Sequence, residues 1–230
     1  MGIIINALSI IIGSLVGSVF KERIKFKNFT VFGIAIMMIG IVGFFENIFN
    51  INGMMLESND LLVIVFALII GTILGDVIQL ESKINNLSSL ANGSASCFID
   101  STIFFAVGGM QICGPIMLAT FGDNSQLIFK SLIDFPFALM FGISYGRKVL
   151  FSSVPVVLGQ MIIVLLTILS RTFFDTTLIK QLCAMGYIIL FFSGFNLICG
   201  SKYKINNVNM LIGIIIILIY NAILKLWRYI

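Results

Sequence analysis

Lys130 and Asp134 stand four residues apart in an otherwise apolar stretch, 127–145. That spacing places both side chains on one face of a helix, where an ammonium and a carboxylate can pair. The pair reads either as an ion pair at the outer membrane interface or as a carboxylate able to bind a cation or proton. Gln111 lies between Gly108-Gly109 and Gly114-Pro115, so a single amide is flanked by two helix-weakening dipeptides. A helix broken there near mid-membrane would offer backbone groups and the Gln111 amide to a substrate or ion. A kinked but continuous helix packed on glycine-rich neighbours is the competing reading. Gln160, five residues after Pro155, and Asn196 add two more amides inside apolar runs, where an unpaired amide is costly. Together with Gly108, Gly109, Gln111, Lys130 and Asp134 they form the candidate substrate or ion path. Asn6 and Asn209 read as interhelical ties, and Asp76 and Asp100 as solvated helix ends.

Other chemistries find no residues to carry them. The chain has no His, which removes imidazole-based triads, His-dependent metal sites and pH switches. Cys97, Cys113, Cys183 and Cys199 sit in or beside apolar segments without CxxC spacing and read as small buried hydrophobes. No phosphate-cradling glycine loop precedes a soluble helix. Neither enzymatic activity nor a metal or cofactor is expected.

The elements that would position these residues follow from composition. Of 230 residues, 59% are hydrophobic and 10% charged, against about 25% charged in a soluble domain. Spanning a bilayer core takes about 20 apolar residues in a helix. Eight windows qualify: 3–20, 29–49, 61–80, 98–121, 127–145, 149–170, 178–200 and 208–227. Only Gly146, Arg147 and Lys148 separate the fifth from the sixth, so a re-entrant member of that pair is an alternative. The first window lacks a basic residue before it and carries Lys21, Arg23, Lys25 and Lys27 after it, the reverse of a secretory signal.

The cytoplasmic side of a membrane protein holds the excess of Lys and Arg. With the N-terminus outside, Lys21, Arg23, Lys25, Lys27, Lys83, Arg147, Lys148, Lys202 and Lys204 fall inside. Lys130, Arg171, Lys180, Lys225 and Arg228 then fall outside, and both termini are expected there. Between the third and fourth windows, Val77, Leu80, Ile84, Leu87 and Ala91 recur at helical spacing opposite Glu81, Lys83 and Asn85. This predicts a short helix in the cytoplasmic interface or an extension of the third span.

Gly13 and Gly17, Gly71 and Gly75, and Gly142 and Gly146 repeat a GxxxG spacing near the cytoplasmic ends of the first, third and fifth windows. Small residues four apart let helices approach closely in lipid, so all six are expected at helix contacts. Their recurrence points to duplication, with halves of about 1–121 and 127–230 in parallel, or to an inverted three-plus-three arrangement around the middle pair.

The run from Thr102-Ile103-Phe104-Phe105-Ala106 through Val107-Gly108-Gly109-Met110-Gln111-Ile112-Cys113-Gly114 resembles the central signature of the YdfK-like bacterial membrane proteins, domain of unknown function 554. The likeness continues in Gly122-Asp123, Lys130-Ser131-Leu132-Ile133-Asp134, Ser152, Pro155, Gln160, Gly194-Phe195-Asn196-Leu197 and Val208-Asn209, over nearly the whole chain. It departs at Ala106, where a Cys is common, and around Pro115 to Ala119, where a more polar loop is usual. The resemblance implies an inner-membrane transport protein with no assigned substrate.

The reading is an all-α, polytopic helical bundle in a bacterial cytoplasmic membrane, a single membrane domain of about eight spans. Its expected role is transporter or channel for a small ion or solute, the alternative being a scaffold or regulatory subunit whose polar residues only lock helices. The bilayer, a small ion or solute and a second copy of the chain are the candidate partners. Nucleic acid is not, because most of the basic residues sit in short gaps between long apolar runs.

Overall fold

Continuous apolar runs fold as helices in lipid because only a helix pairs its own backbone groups there. The computed structural model describes residues 1–21, 30–52, 55–58, 60–90, 94–106, 109–171 and 173–229. Arg23, Lys25, Lys27, Gly108 and Ala91 lie outside the described residues.

Helices α1 (Gly2–Val19), α2 (Thr30–Ile48), α3 (Leu61–Ile78), α7 (Ser125–Tyr145) and α9 (Thr176–Cys199) are each long and apolar enough to cross a membrane. So is the segment Arg147–Leu169, a 3-10 turn (Arg147–Ser152) followed by α8 (Ser153–Leu169). Another is Asn207–Trp227, in which one turn, α10 (Asn207–Met210), precedes α11 (Ile212–Tyr229). In the fourth window, α5 (Ser94–Ala106) and α6 (Met110–Phe121) are bent by 54°.

The ends of these helices are written in the sequence. Asp175 caps α9 by accepting from the Leu178 backbone N–H at 2.8 Å. Gly122, Gly146 and Gly200 close α6, α7 and α9 with positive φ. Gln79, at φ 56, turns the chain between α3 and a separate helix α4 (Leu80–Leu90), so the segment after the third span is its own element. Strands β1 (Phe49–Asn52) and β2 (Met55–Ser58) pair antiparallel between α2 and α3, with Phe49 opposite Ser58. The Asn52-Gly53 dipeptide was the available hairpin signal.

The chain divides into two compact units, each assembled from two stretches. Unit 1 comprises Met1–Phe29 and Lys83–Leu169, and unit 2 comprises Thr30–Ser82 and Ser170–Ile230. These do not coincide with the sequence halves 1–121 and 127–230.

In unit 1, α1 and α7 pack along a glycine seam. A β-carbon at Gly13 would lie 2.6 Å from the Phe135 carbonyl oxygen, and one at Gly142 would lie 2.5 Å from that of Ser14. Gly2 meets Leu127, Gly13 meets Ala138 and Gly17 meets Ile143, so the two helices run in the same direction. In unit 2, Gly33, Gly40 and Gly43 of α2 meet Gly194, Phe191 and Tyr187 of α9 in reverse order, an antiparallel pair. Gly71 faces Gly213, and a β-carbon at Gly75 would lie 2.5 Å from that of Asn209, which joins α3 to α11 and α10.

These directions decide how many spans there are. Successive spans alternate in direction, so parallel α1 and α7 need an odd number of crossings between them; α2 and α3 supply two. The bent pair α5–α6 therefore crosses the membrane. The antiparallel pair α2 and α9 gives the same result, since an even number of crossings must separate them and α3, α7 and α8 supply three. Among the described residues, seven helices and this bent pair together fit eight spans.

Gly146 differs from the expectation of a helix contact. It closes α7 at φ 83 and ψ −161, a conformation essentially reserved for glycine, and an added β-carbon would meet only the Lys21 side chain, 3.4 Å away. Its role is to turn the chain. Helix α6 also runs unbroken through Gly114 and Pro115, so the expected break does not extend to that dipeptide. Pro115 deprives only the Gln111 carbonyl of a partner, while Gly114 packs on Leu127. Pro155 is the third residue of α8, where the backbone N–H has no intrahelical partner in any case.

Candidate functional site

Four spans of unit 1 bring polar side chains into its apolar interior, and these join end to end. On α7, Lys130 and Asp134 face the same way because they are one turn apart, with Nζ 2.6 Å from Oδ2. The Lys130 ammonium also donates to the Phe105 carbonyl oxygen at 3.0 Å. Phe105 lies in the last turn of α5. Asn6 of α1 donates its amide to Asp134 Oδ2 at 2.7 Å. Gln160 of α8 donates one hydrogen to Asn6 Oδ1 and the other to Gln111 Oε1, both at 3.0 Å. Gln111, the second residue of α6, donates to the Val156 carbonyl at 2.8 Å. The result is one polar chain from the end of α5 to the first turn of α8.

Burial sets the energetics. Asn6 and Gln160 are 0% exposed, and Lys130 and Asp134 are 3% and 5% exposed. A lone charge there would cost several kcal/mol, so the opposite charges must stay together. The expected ion pair is formed, and it is buried within unit 1, in the first turns of α7. The amides hydrogen-bond one another, with one exception. Gln160 Oε1 is buried without a hydrogen-bond partner among the described residues.

Of the candidate path, Gln111, Lys130, Asp134 and Gln160 come together in this chain. Gly109 is the buried residue that starts α6, its carbonyl accepting from Ile112 and Cys113 at 3.0 Å. Gly108 lies outside the described residues. Asn196 does not join them. It belongs to unit 2, where it donates to the Ile205 carbonyl at 2.7 Å and accepts from the Ile205 N–H at 2.8 Å, so its amide clasps a loop. Asn6, read from the sequence as a helix tie, is the central link. As a lone Asn in an apolar helix it has no spacing relation to mark it; only packing against α7 and α8 gives it partners.

Unit 2 has a smaller polar cluster of its own. Asn209 donates to Asp76 Oδ1 at 2.6 Å and accepts from the Glu81 backbone N–H at 2.9 Å. Glu81 pairs through Oε1 with Lys204 at 2.9 Å, and its Oε2 is buried without a hydrogen-bond partner among the described residues. This cluster ties the α3–α4 corner to α10. Between the spans α6 and α7, Asp123 accepts from the Ser125 hydroxyl and backbone N–H at 2.6 and 2.8 Å, which holds its carboxyl below the usual carboxylate range.

Comparison with known proteins follows the same outline. The "uncharacterized membrane protein YdfK" of Bacillus subtilis (strain 168) is 26% identical over 96% of this chain and 97% of its own. The "uncharacterized protein YqgA" of Escherichia coli (strain K12) is 25% identical over 99% of this chain and 98% of its own. No solved structure matches. The model of one family, described as "protein of unknown function (DUF554)", matches residues 1–222. A polytopic helical membrane protein in contact with the lipid bilayer, the chain belongs to this DUF554 family.

Proposed function

We propose that the protein moves a small ion or solute across the bacterial cytoplasmic membrane, using the polar chain of unit 1 as its site. The observation that carries this reading is the burial of an ion pair and three linked amides around a broken span. Such a set is expensive to maintain in a membrane interior, and intramembrane ionisable groups mark substrate and ion pathways. A discontinuous span beside them supplies backbone acceptors, as in many transporters.

With eight spans, both termini lie on one side of the membrane. In this reading that side is the outside. Burial of Lys130 in the interior of unit 1 removes it from the outer loops, which sharpens the bias of Lys and Arg toward the inner ones.

A second reading, a scaffold that uses polar residues only to lock helices, is favoured by one observation: the amides largely satisfy each other. Purified protein in liposomes, assayed for flux across a panel of ions and small solutes, separates the two. Transport predicts uptake of at least one solute above protein-free vesicles and its loss in Asp134→Asn. No uptake of any solute in the panel would favour the scaffold.

A further inference from the structure

We infer that the Lys130 ammonium occupies a binding site for a small monovalent cation, and that cation entry displaces it. This rests on the transport reading and names its substrate class. The ammonium is itself a monovalent cation on a tether, and it sits between two oxygen acceptors of the kind a free cation takes. On one side lies the Asp134 carboxylate, 2.6 Å from Nζ, and on the other the Phe105 carbonyl, 3.0 Å away. The carbonyl belongs to the last turn of half-helix α5, where the helix dipole is negative.

Hydrogen-bond accounting points the same way. Both hydrogens of the Gln160 amide go to Asn6 and Gln111, while its oxygen, in a side chain 0% exposed, has no partner among the described residues. If Lys130 withdraws, the chain therefore has a surplus of acceptors: a carboxylate, a helix-terminal carbonyl and, one link beyond Asn6, the Gln160 oxygen. A surplus of buried acceptors takes a cation or a hydrogen-bond donor and rejects anions. One carboxylate in the chain balances a single positive charge. Sodium, potassium and ammonium-type ions fit that condition, and divalent ions do not. Exchange of one monovalent cation for another keeps Asp134 neutralised, and the displaced Lys130 ammonium, six residues into α7 on a four-carbon tether, moves toward the polar end of that helix.

The test is the melting temperature of Lys130→Met in detergent, titrated with sodium, potassium, ammonium or methylammonium chloride against choline chloride at constant ionic strength. Lys130→Gln, which keeps an N–H donor for Asp134, serves as a second variant. With the tethered competitor removed, at least one small cation should raise the melting temperature in a saturable way, because a ligand bound only by the folded state stabilises it. The parent protein should need a higher concentration for the same shift, and Asp134→Asn in the Lys130→Met background should abolish it. Absence of any cation-specific shift in both variants overturns the proposal. So does failure of both to fold in every cation tested, since a fitting cation replaces the ammonium. Cation-specific stabilisation without flux in liposomes would uphold the site and refute transport. Flux by the parent protein with no cation response in either variant would uphold transport and refute the site.

Discussion

The side chains of Asn6 and Gln160, 154 positions apart in sequence, meet at 3.0 Å in the interior of unit 1, Gln160 Nε2 donating to Asn6 Oδ1. This contact joins the charged part of the polar chain, Lys130 and Asp134, to its amide part, Gln111 and Gln160. Losing it would separate the two.

Gln160→Leu removes two donated hydrogen bonds and strands the oxygens of Asn6 and Gln111. Interhelical hydrogen bonds in membranes contribute about 0.6 kcal/mol each, up to about 1.7. The detergent melting temperature should therefore fall modestly. Because both side chains share one bond, Asn6→Leu combined with Gln160→Leu should cost less than the sum of the single changes. Strict additivity would show that the bond contributes nothing.

Glycine positions should divide by mechanism. Gly142→Leu and Gly75→Leu force helix backbones apart and should cost about 1 to 3 kcal/mol, by analogy with overpacked cores. Gly146 has room for a side chain but a backbone only glycine tolerates, so Gly146→Ala should already destabilise by about 1 to 3 kcal/mol. Thermal melts that leave Gly142→Leu at the parent temperature would contradict the α1–α7 seam.

Asn209 should be the sensitive residue of unit 2. Asn209→Ala removes the donor to Asp76 and the acceptor for the Glu81 N–H, loosening the α3–α4 corner. Limited proteolysis between Ile78 and Leu90 should speed up, whereas Asn196→Ala should act instead on the loop around Ile205. Equal cleavage of Asn209→Ala and parent protein would show that the corner is held by other contacts.

Topology can be read by labelling. On a background lacking the four cysteines, Asn124→Cys should react with an impermeant thiol reagent in intact cells, and Arg147→Cys should not. The reverse pattern would invert the proposed orientation.

Much of this architecture was legible in the chain because the bilayer imposes a length and a polarity that sequence records directly. The eight windows and the observed helices agree to within a few residues except where the fourth and eighth spans begin or break. The α1–α7 seam was legible through Gly13, Gly17 and Gly142, since four-residue spacing on a helix means one face. The α2–α9 seam was not, because Gly33, Gly40 and Gly43 lack that spacing and their partners include Phe191 and Tyr187. Lys130 and Asp134 were legible as a pair from their i,i+4 relation, but not as buried, since a charged pair near the end of a window looks interfacial. The polar chain itself was invisible. Its links run between four different spans, and no local pattern ties Asn6 to Asp134 or Gln160.

The central claim is that the buried chain through Asp134 carries a small cation. The most direct measurement is uptake of labelled sodium or potassium into liposomes holding equal amounts of folded parent protein and of Asp134→Asn, recorded side by side. The account predicts uptake above protein-free vesicles for the parent with one of these ions and its loss in the variant. Equal uptake by both proteins, or none by the parent, would contradict it.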